Sequence, residues 1–275
     1  SKMVRRCEFC DSPVPADAVT CPVCRETIAE ESLERILPLL KRPDSAEIRV
    51  MGIRARIWNV IRRPSAAFRD ISQRPEAAGP FIVIMMNAAV IMGLFLALSS
   101  KVNTVIVLNA TAGTTATVSV LASQQGSSFF IMALAGMIPN LMLGMIFLII
   151  GTAFAHFAFK LTGGSGGKMK TLSIVGYSMT PVVLVRLFGI LVFLLIAPTY
   201  PETVSFGSLS AGVVSDIVNW AYRLNVWLVL DVLTTGAFAW TGFLLIFGIR
   251  EAHGTSTLWA VVVAILCTIV LGWTF

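Results

Sequence analysis

The chain has 275 residues, of which 56% are hydrophobic and 13% are charged, and its formal net charge is +6. Soluble domains have roughly 45–50% apolar and about 25% charged residues, so this composition excludes an ordinary soluble protein. Because 25 of the 36 Lys, Arg, Asp and Glu residues precede Phe81, we expect a polar region of about 80 residues followed by a membrane domain.

Four of the five cysteines form two C-x-x-C pairs near the start of the chain. Cys7 and Cys10 are separated by ten residues from Cys21 and Cys24. Two such turns can place four thiolates around one ion, so residues 1–28 are predicted to be a zinc ribbon, with iron as the alternative metal. Two disulfides or a redox pair are the other interpretations. Disulfides are rare in the cytosol, where the head is expected to lie, and a redox C-x-x-C pair normally opens a helix of a βαβ unit, a pattern that the sequence does not have.

A head of this size cannot build a hydrophobic core, so metal binding is expected to supply its folding free energy. Asp11 and Arg25 follow the two turns at positions where many zinc ribbons have Gly. Asp tolerates a left-handed backbone better than Arg, so we expect one turn to be distorted. The head carries four basic and four acidic residues, and this zero net charge argues against nucleic acid as a partner.

A basic connector follows the head. Residues 29–51 are predicted to be a linker with a short amphipathic helix, and residues 52–80 a basic juxtamembrane segment. Positions 41–74 hold nine basic and three acidic residues. A helix with arginines on one face and Ile and Trp58 on the other is typical of helices that lie in the plane of the lipid headgroups. We expect residues 52–74 to lie on the inner membrane surface and bind anionic lipid. A solvated helix packed on the spans is the alternative.

Residues 81–275 contain five apolar helices of membrane-crossing length. The predicted spans are 81–98, 129–157, 171–197, 224–249 and 257–274. The loops assigned to the outside hold only Lys101 and Arg223, whereas the inner segments hold most of the other Lys and Arg residues. The positive-inside rule therefore predicts a cytosolic N-terminus and an external C-terminus. The predicted fold class is an all-α polytopic membrane protein with a small N-terminal zinc ribbon.

The loop after the first predicted span has a strand pattern. Residues 104–121 alternate β-branched and small polar side chains on either side of Gly113. This pattern predicts a β-hairpin on the outer side of the membrane.

Two charged residues lie deep within predicted spans, Arg186 in the third and Asp231 in the fourth. Counted from the outer ends of those spans, their depths are roughly 16 and 10 Å, and an Arg side chain can bridge the difference. Intramembrane charges usually face the bundle interior and a partner. We favour a buried pair that fixes the packing of the two spans. A polar pathway for a transported ion is the alternative.

Several short motifs occur in a fixed order along residues 52–275. They are Pro64-x3-Phe68 and Pro75, then Glu76-Ala77-Ala78-Gly79-Pro80, the glycine-rich loop 163–167, Gly176-Tyr177-Ser178 with Pro181, and the segment 248–254 before the last span. In this order they resemble the Yip domain family, the Ypt/Rab-GTPase-interacting multi-pass membrane proteins. Eukaryotic members have Asp-Leu-Tyr-Gly-Pro where this chain keeps only Gly79 and Pro80 of that motif.

The resemblance implies a five-span helical bundle with a cytosolic N-terminus and a role in membrane traffic or membrane shaping. Eukaryotic members are thought to bind small GTPases. Because the Asp, Leu and Tyr of their motif are replaced here, a small GTPase is retained only as an alternative partner. A zinc ribbon on this domain resembles the prokaryotic, especially archaeal, branch. This favours a prokaryotic plasma membrane over a eukaryotic endomembrane.

The sequence contains no recognisable catalytic pattern. Its two histidines, His156 and His253, have no paired carboxylate and serine and no metal-ligand spacing, and P-loop, H-E-x-x-H and G-x-S-x-G motifs are lacking. We therefore expect a non-enzymatic membrane scaffold or adaptor that binds lipids or an unidentified protein through its head and basic helix. A transporter or channel that uses Arg186 and Asp231, or an accessory subunit of a larger membrane complex, is the alternative.

Overall fold

The computed structural model describes residues 4–7, 10–15, 20–25, 50–109, 111–161, 166–205, 211–253 and 255–274. Most of the predicted linker, residues 29–49, lies outside these ranges. The contacts divide the chain into two units. The first unit comprises Ser1–Ile84, Gly144–Val182 and Ala237–Phe275, and the second comprises Met85–Leu143 and Val183–Gly236.

The first unit begins with a small β-hairpin. Strands β1 (Val4–Arg6) and β2 (Pro13–Pro15) pair antiparallel, with Val4 opposite Pro15. Among the described residues of the head, Cys7, Val14 of β2 and Cys21 form the buried cluster. So small an apolar cluster cannot offset the entropy of ordering the chain, which agrees with the expectation that metal binding supplies the folding free energy.

The basic juxtamembrane segment is helical, but it forms two helices rather than one. Helix α1 runs over Ile53–Arg62 and helix α2 over Pro64–Gln73. Arg63, between them, has a non-helical backbone (φ −141°, ψ 66°). A proline disfavours the helical conformation of the residue that precedes it, so Pro64 ends α1 and begins α2.

The apolar helices lie where the sequence predicts them. They are α3 (Ala78–Ser99), α4 (Gly126–Leu161), α5 (Lys168–Ser178), α6 (Thr180–Ile196), α8 (Val226–His253) and α9 (Thr257–Thr274). Four segments of the described chain are long and apolar enough to cross a membrane, namely α3, α4, α5 together with α6, and α8. Helix α9 is apolar but shorter, so a fifth span remains a prediction.

The third predicted span is broken at Met179, between α5 and α6. Pro181 has no N–H group to donate to the carbonyl of Tyr177, four residues earlier. The hydroxyl of Thr180 donates to that carbonyl instead, at 2.7 Å. The break therefore leaves no unsatisfied acceptor at Tyr177.

The second unit contains a hairpin and a short helix in addition to parts of the apolar helices. Strands β3 (Asn103–Asn109) and β4 (Thr114–Ser119) pair antiparallel, and Gly113 in the turn has a φ of +63°. The predicted hairpin is thus confirmed. Helix α7 (Ala211–Tyr222) was not predicted. It packs Val213, Ile217 and Trp220 against a buried cluster that includes Tyr200.

Candidate functional site

The two C-x-x-C pairs come together as predicted. The sulfur atoms of Cys7, Cys10, Cys21 and Cys24 all lie within 4.8 Å of one another. The Sγ–Sγ distance is 3.5 Å between Cys7 and Cys24 and 3.6 Å between Cys10 and Cys21, and all four are free thiols. Four sulfurs at these separations can hold one metal ion in a tetrahedral site.

Both cysteine turns have the same form. The N–H group of Asp11 donates to the carbonyl of Cys7, and that of Arg25 to the carbonyl of Cys21, each at 2.9 Å. Asp11 and Arg25 have φ values of +56° and +59°. The expectation of one distorted turn is therefore wrong. Arg25 adopts the left-handed backbone, and the fold bears a strain that glycine would not have.

The pKa of one of the four thiols, that of Cys10, is lowered by its neighbour Ser12. The Sγ atom of Cys10 lies 3.3 Å from the hydroxyl of Ser12. Hydrogen bonds from the side chain and backbone of Ser12 lower the pKa of Cys10 to about 6. The thiolate is the form that binds metal, so the lowered pKa of Cys10 favours metal binding.

Two glycines of the membrane motifs each pack against a ring from the other motif, Gly79 against Tyr177 and Gly176 against Pro80. The Tyr177 ring occupies the space that a Cβ atom on Gly79 would need, and the Pro80 ring occupies the space beside Gly176. Helices α3 and α5 therefore approach closely at two adjacent points. Pro181 lies one helical turn beyond Tyr177 and sets the break after α5.

A buried polar network extends from this contact to the basic helices. Arg56 of α1 donates through Nε to Asp70 Oδ2 at 2.8 Å and through Nη1 to Glu76 Oε1 at 2.6 Å. Tyr177 donates its hydroxyl to the same oxygen of Glu76 at 2.7 Å. The hydroxyl of Ser173 donates to the Glu76 carbonyl at 2.6 Å and accepts the Glu76 N–H at 2.9 Å. Glu76 is thus the centre of the network.

The network holds its charges in place although they are buried. Arg56 is 4% exposed and Asp70 is 1% exposed. Burial disfavours the charge of Arg56, but its hydrogen bonds to Asp70 and Glu76 outweigh burial and raise the pKa of the guanidinium above its ordinary value. Arg56 therefore remains charged, and α1 is fastened to α2 and to the segment that leads into α3.

A family model, the Yip1 domain, matches residues 58–275. The chain belongs to the Yip1 domain family. Together with the apolar helices, this match makes it a multi-pass membrane protein. Among curated proteins and solved structures, no match is found. The reciprocal glycine contacts and Glu76 fall within the matched Yip1 region, so the motifs are packing positions of that domain.

A second link joins α2 to the end of α8 within the Yip1 domain. Arg69 donates through Nε to Glu251 Oε2 at 3.1 Å, and Arg250 through Nη2 to Glu251 Oε1 at 3.3 Å. Phe68 lies against Gly248. The segment before the last apolar helix is thus a docking surface for α2.

The two histidines meet at one hydroxyl. His156 Nδ1 and His253 Nε2 each lie 3.3 Å from Thr171 Oγ1. The N–H group of Gly166 donates to His253 Nδ1 at 3.1 Å, and the imidazole stacks on Phe159. Because Nδ1 accepts a hydrogen bond, His253 is neutral and carries its proton on Nε2. Sequence spacing alone did not predict this cluster.

The two predicted intramembrane charges line one pocket of the second unit, about 230 Å³ in volume. Arg186 is partly buried and donates through Nη1 to Asn87 Oδ1 at 2.9 Å. The side chain of Asp231 is exposed. The structure thus brings Arg186 and Asp231 to the same pocket, while their direct pairing remains a proposal.

The exposed face of α1 differs from the predicted one. Arg54, Trp58 and Arg62 lie one turn apart on the same exposed face, whereas Arg56 and Val60 are buried. The Arg62 guanidinium carbon lies 5.6 Å from the centre of the Trp58 ring. The predicted separation of arginines from Trp58 is therefore wrong, because one arginine faces inward to the network and two flank the indole.

Proposed function

We propose that the chain is a non-enzymatic membrane scaffold or adaptor that binds anionic lipid with helix α1 and a protein partner with its cysteine head. One observation carries the lipid contact, namely the exposed row of Arg54, Trp58 and Arg62. Arginine and tryptophan suit the headgroup layer, where each basic residue near anionic lipid contributes about 1 kcal/mol.

The buried face of α1 supports the same role. Arg56 ties α1 to Asp70 and to Glu76, so the lipid-facing row is held rigidly relative to the first unit rather than on a free arm. A rigid row presents its charges together, which reduces the entropy lost on binding.

The topology that accompanies this function has a cytosolic N-terminus, five spans and an external C-terminus, as the positive-inside rule indicates. A prokaryotic plasma membrane is favoured over a eukaryotic endomembrane. Reporter proteins fused at the two termini test this arrangement. We expect the N-terminal reporter to be active only in the cytosol and the C-terminal reporter only outside. Activity of both on the same side would exclude five spans.

We assign zinc to the four-cysteine cluster because tetrahedral sulfur sites favour Zn²⁺. Elemental analysis of the purified full chain should give one zinc per molecule. With the metal bound, the head is a folded surface for a protein partner, and a small GTPase is the alternative partner suggested by the family. Proteins that co-purify from native membranes with the full chain, but not with a Cys21→Ser variant, would identify it.

The lipid contact is tested with the full chain in nanodiscs of neutral or anionic lipid. An Arg54→Gln, Arg62→Gln double variant should retain less anionic lipid than the natural chain, and the difference should shrink in high salt. Arg223→Gln, which removes an exposed charge far along the sequence, is the control. If the double variant and the control retain equal amounts of anionic lipid, the proposed contact is wrong.

A transporter or channel is the second candidate, because Arg186 and Asp231 line one pocket. Ion flux into liposomes that contain the chain, abolished by Asp231→Asn, would favour it over the scaffold. An accessory subunit of a larger membrane complex is the third candidate. Stoichiometric co-purification of a membrane partner would support that assignment.

A further inference from the structure

Strand β3 has one edge that faces away from β4. In an antiparallel pair, successive residues turn their N–H and C=O groups alternately toward the partner strand and away from it. The N–H group of Val120 donates to the Val102 carbonyl at 2.9 Å, so Val102 faces the β4 side. By this alternation, Asn103, Val105 and Val107 direct their backbone groups to the other edge of β3.

Within the described residues, the chain covers only the start of this edge. The N–H group of Val204 donates to the Asn103 carbonyl at 2.8 Å. Beyond that point, no backbone group in the described part of the chain pairs with Val105 or Val107 on this side. A cleft of about 460 Å³ lies there instead, and residues 104–107 of β3 form part of its lining. The edge is therefore open to a second strand.

The exposed side chains at this edge are apolar. Val105 and Val107 are 48% and 65% exposed, and none of the described residues that line the cleft is charged. Residues 102–125, which include both strands of the hairpin, contain no Asp, Glu, Lys, Arg or Pro. Native proteins protect an open sheet edge with such residues, because an unprotected edge pairs with other strands. Only a bulge, where the register shifts between Val107 and Asn109, limits the open edge.

We propose that this edge binds the same edge of a second copy of the chain, so that two hairpins form one four-stranded sheet. A two-fold axis beside Ile106 pairs Val105 of each copy with Val107 of the other. The members of each pair exchange both of their N–H···O=C bonds, which gives four hydrogen bonds between the copies. Each pair also brings two exposed β-branched side chains into contact across the strands.

The edge is complementary to itself in three respects. Its donors and acceptors at Val105 and Val107 are all used in the two-fold pairing. Because the hairpin has no charged residue, two copies of it approach without repulsion. Two copies in one membrane have the same orientation, so their hairpins lie on the same side whatever the topology, as a two-fold interface requires. This contact goes beyond the proposed scaffold function and does not depend on it.

Cysteine cross-linking of the full chain in liposomes tests the register. Ile106→Cys places a sulfur beside its own counterpart, since the Cα atoms of facing residues at a non-hydrogen-bonded position are about 4.5 Å apart, within the range of a disulfide. Ala116→Cys is the matched control, because Ala116 lies opposite Ile106 on β4 and is also half-buried.

Oxidation of Ile106→Cys should give a covalent dimer above the background set by the cysteines of the natural chain. Oxidation of Ala116→Cys should give none above that background. Equal cross-linking of the two variants would overturn the proposal, and so would cross-linking of Ala116→Cys alone, because the contact would then lie at the edge of β4.

Proline substitution tests whether backbone hydrogen bonds join the copies. Val105→Pro removes the N–H group at the free edge of β3, a position where a strand tolerates proline. Thr117→Pro makes the same change at the residue opposite Val105, on the outer edge of β4. The monomer–dimer equilibrium is measured by energy transfer between donor-labelled and acceptor-labelled full chains in liposomes, as the lipid-to-protein ratio is raised.

Val105→Pro should weaken the association of two copies by roughly 10- to 100-fold, because two of the four hydrogen bonds between them are lost. Thr117→Pro should leave the association unchanged. A natural chain that stays monomeric at every ratio would overturn the proposal. An equal loss of association in both proline variants would do the same.

Discussion

The hydroxyl and ring of Tyr177 occupy the space in which a side chain on Gly79 would begin. Gly79 is near the start of α3 and Tyr177 is near the end of α5, so the contact sets how closely these helices approach. The same tyrosine donates to Glu76. One residue therefore joins helix packing in the Yip1 domain to the buried network of Arg56.

We expect Gly79→Ala to destabilise the protein by about 1–3 kcal/mol, because the new methyl group must displace a buried ring. Gly136→Ala is the matched control. Apart from its chain neighbours and the backbone of its own helix, nothing lies within 4 Å of the position its Cβ would take, and Ala favours helix more than Gly does. Thermal unfolding in detergent should show a lower Tm for Gly79→Ala and an unchanged or higher Tm for Gly136→Ala. Equal Tm values for the two variants would contradict this packing.

Removing the guanidinium of Arg56 should be costly because it takes the cation from the buried carboxylate of Asp70 and leaves Glu76 with the Tyr177 hydroxyl. For Arg56→Gln we expect a loss of about 3–5 kcal/mol, as is usual when one member of a buried ion pair is removed. Tyr177→Phe, which removes a single hydrogen bond, should cost only about 1 kcal/mol.

Arg54→Gln is the control for Arg56→Gln, because it removes the same charge from the exposed face of α1. Chemical unfolding of the three variants in the same detergent gives the comparison. If Arg54→Gln destabilises the chain as much as Arg56→Gln, net charge rather than the buried network is responsible.

The features that were predicted correctly are those whose sequence pattern is formed by residues close together in the chain. The apolar helices, the hairpin around Gly113 and the cysteine pairs Cys7–Cys10 and Cys21–Cys24 all show their pattern within about 20 residues. Helix α7 was missed because its apolar positions, such as Val213 and Ile217, lie in a stretch that reads as a loop between spans.

The polar network could not be predicted because Ser173 and Tyr177 lie 97 and 101 positions from Glu76, and because no periodic pattern links Arg56 to Glu76. Arg56 appears in the sequence as one basic residue among many, and nothing local shows that it faces Glu76 and Tyr177 rather than lipid. The sequence did indicate Glu76 as a position of interest, because a carboxylate stands there in place of the Asp of the eukaryotic motif. His253 and Thr171 are separated by 82 positions, so their contact is a product of the fold alone.

The burial of His253, together with the hydrogen bond that it accepts from Gly166, should make the stability of the first unit depend on pH. A proton on Nδ1 would replace the acceptor with a second donor facing the N–H group of Gly166. The unfolded chain, in which histidine has a pKa of about 6.5, takes up that proton more readily than the folded chain. Stability should therefore fall as the pH drops through that value and recover above it.

His253→Gln is the control for this pH dependence, because glutamine keeps a donor and an acceptor but does not titrate in this range. The Tm of the natural chain, measured between pH 5 and 8, should rise with pH more steeply than that of the variant. Parallel curves would show that another group causes the dependence.

The left-handed backbone of Arg25 predicts a substitution that improves metal binding. A non-glycine residue in this conformation costs about 1–2 kcal/mol, while glycine adds about 0.5–1 kcal/mol of entropy to the unfolded chain. Because folding of the head and metal binding are coupled, Arg25→Gly should raise zinc affinity by a net free energy of roughly 1 kcal/mol or less. Competition of the full chain against a chromophoric chelator measures that affinity. Arg25→Ala removes the same charge but keeps the strain, so it should give no gain. If Arg25→Ala improves the affinity as much as Arg25→Gly, the cause is the lost positive charge and not the backbone.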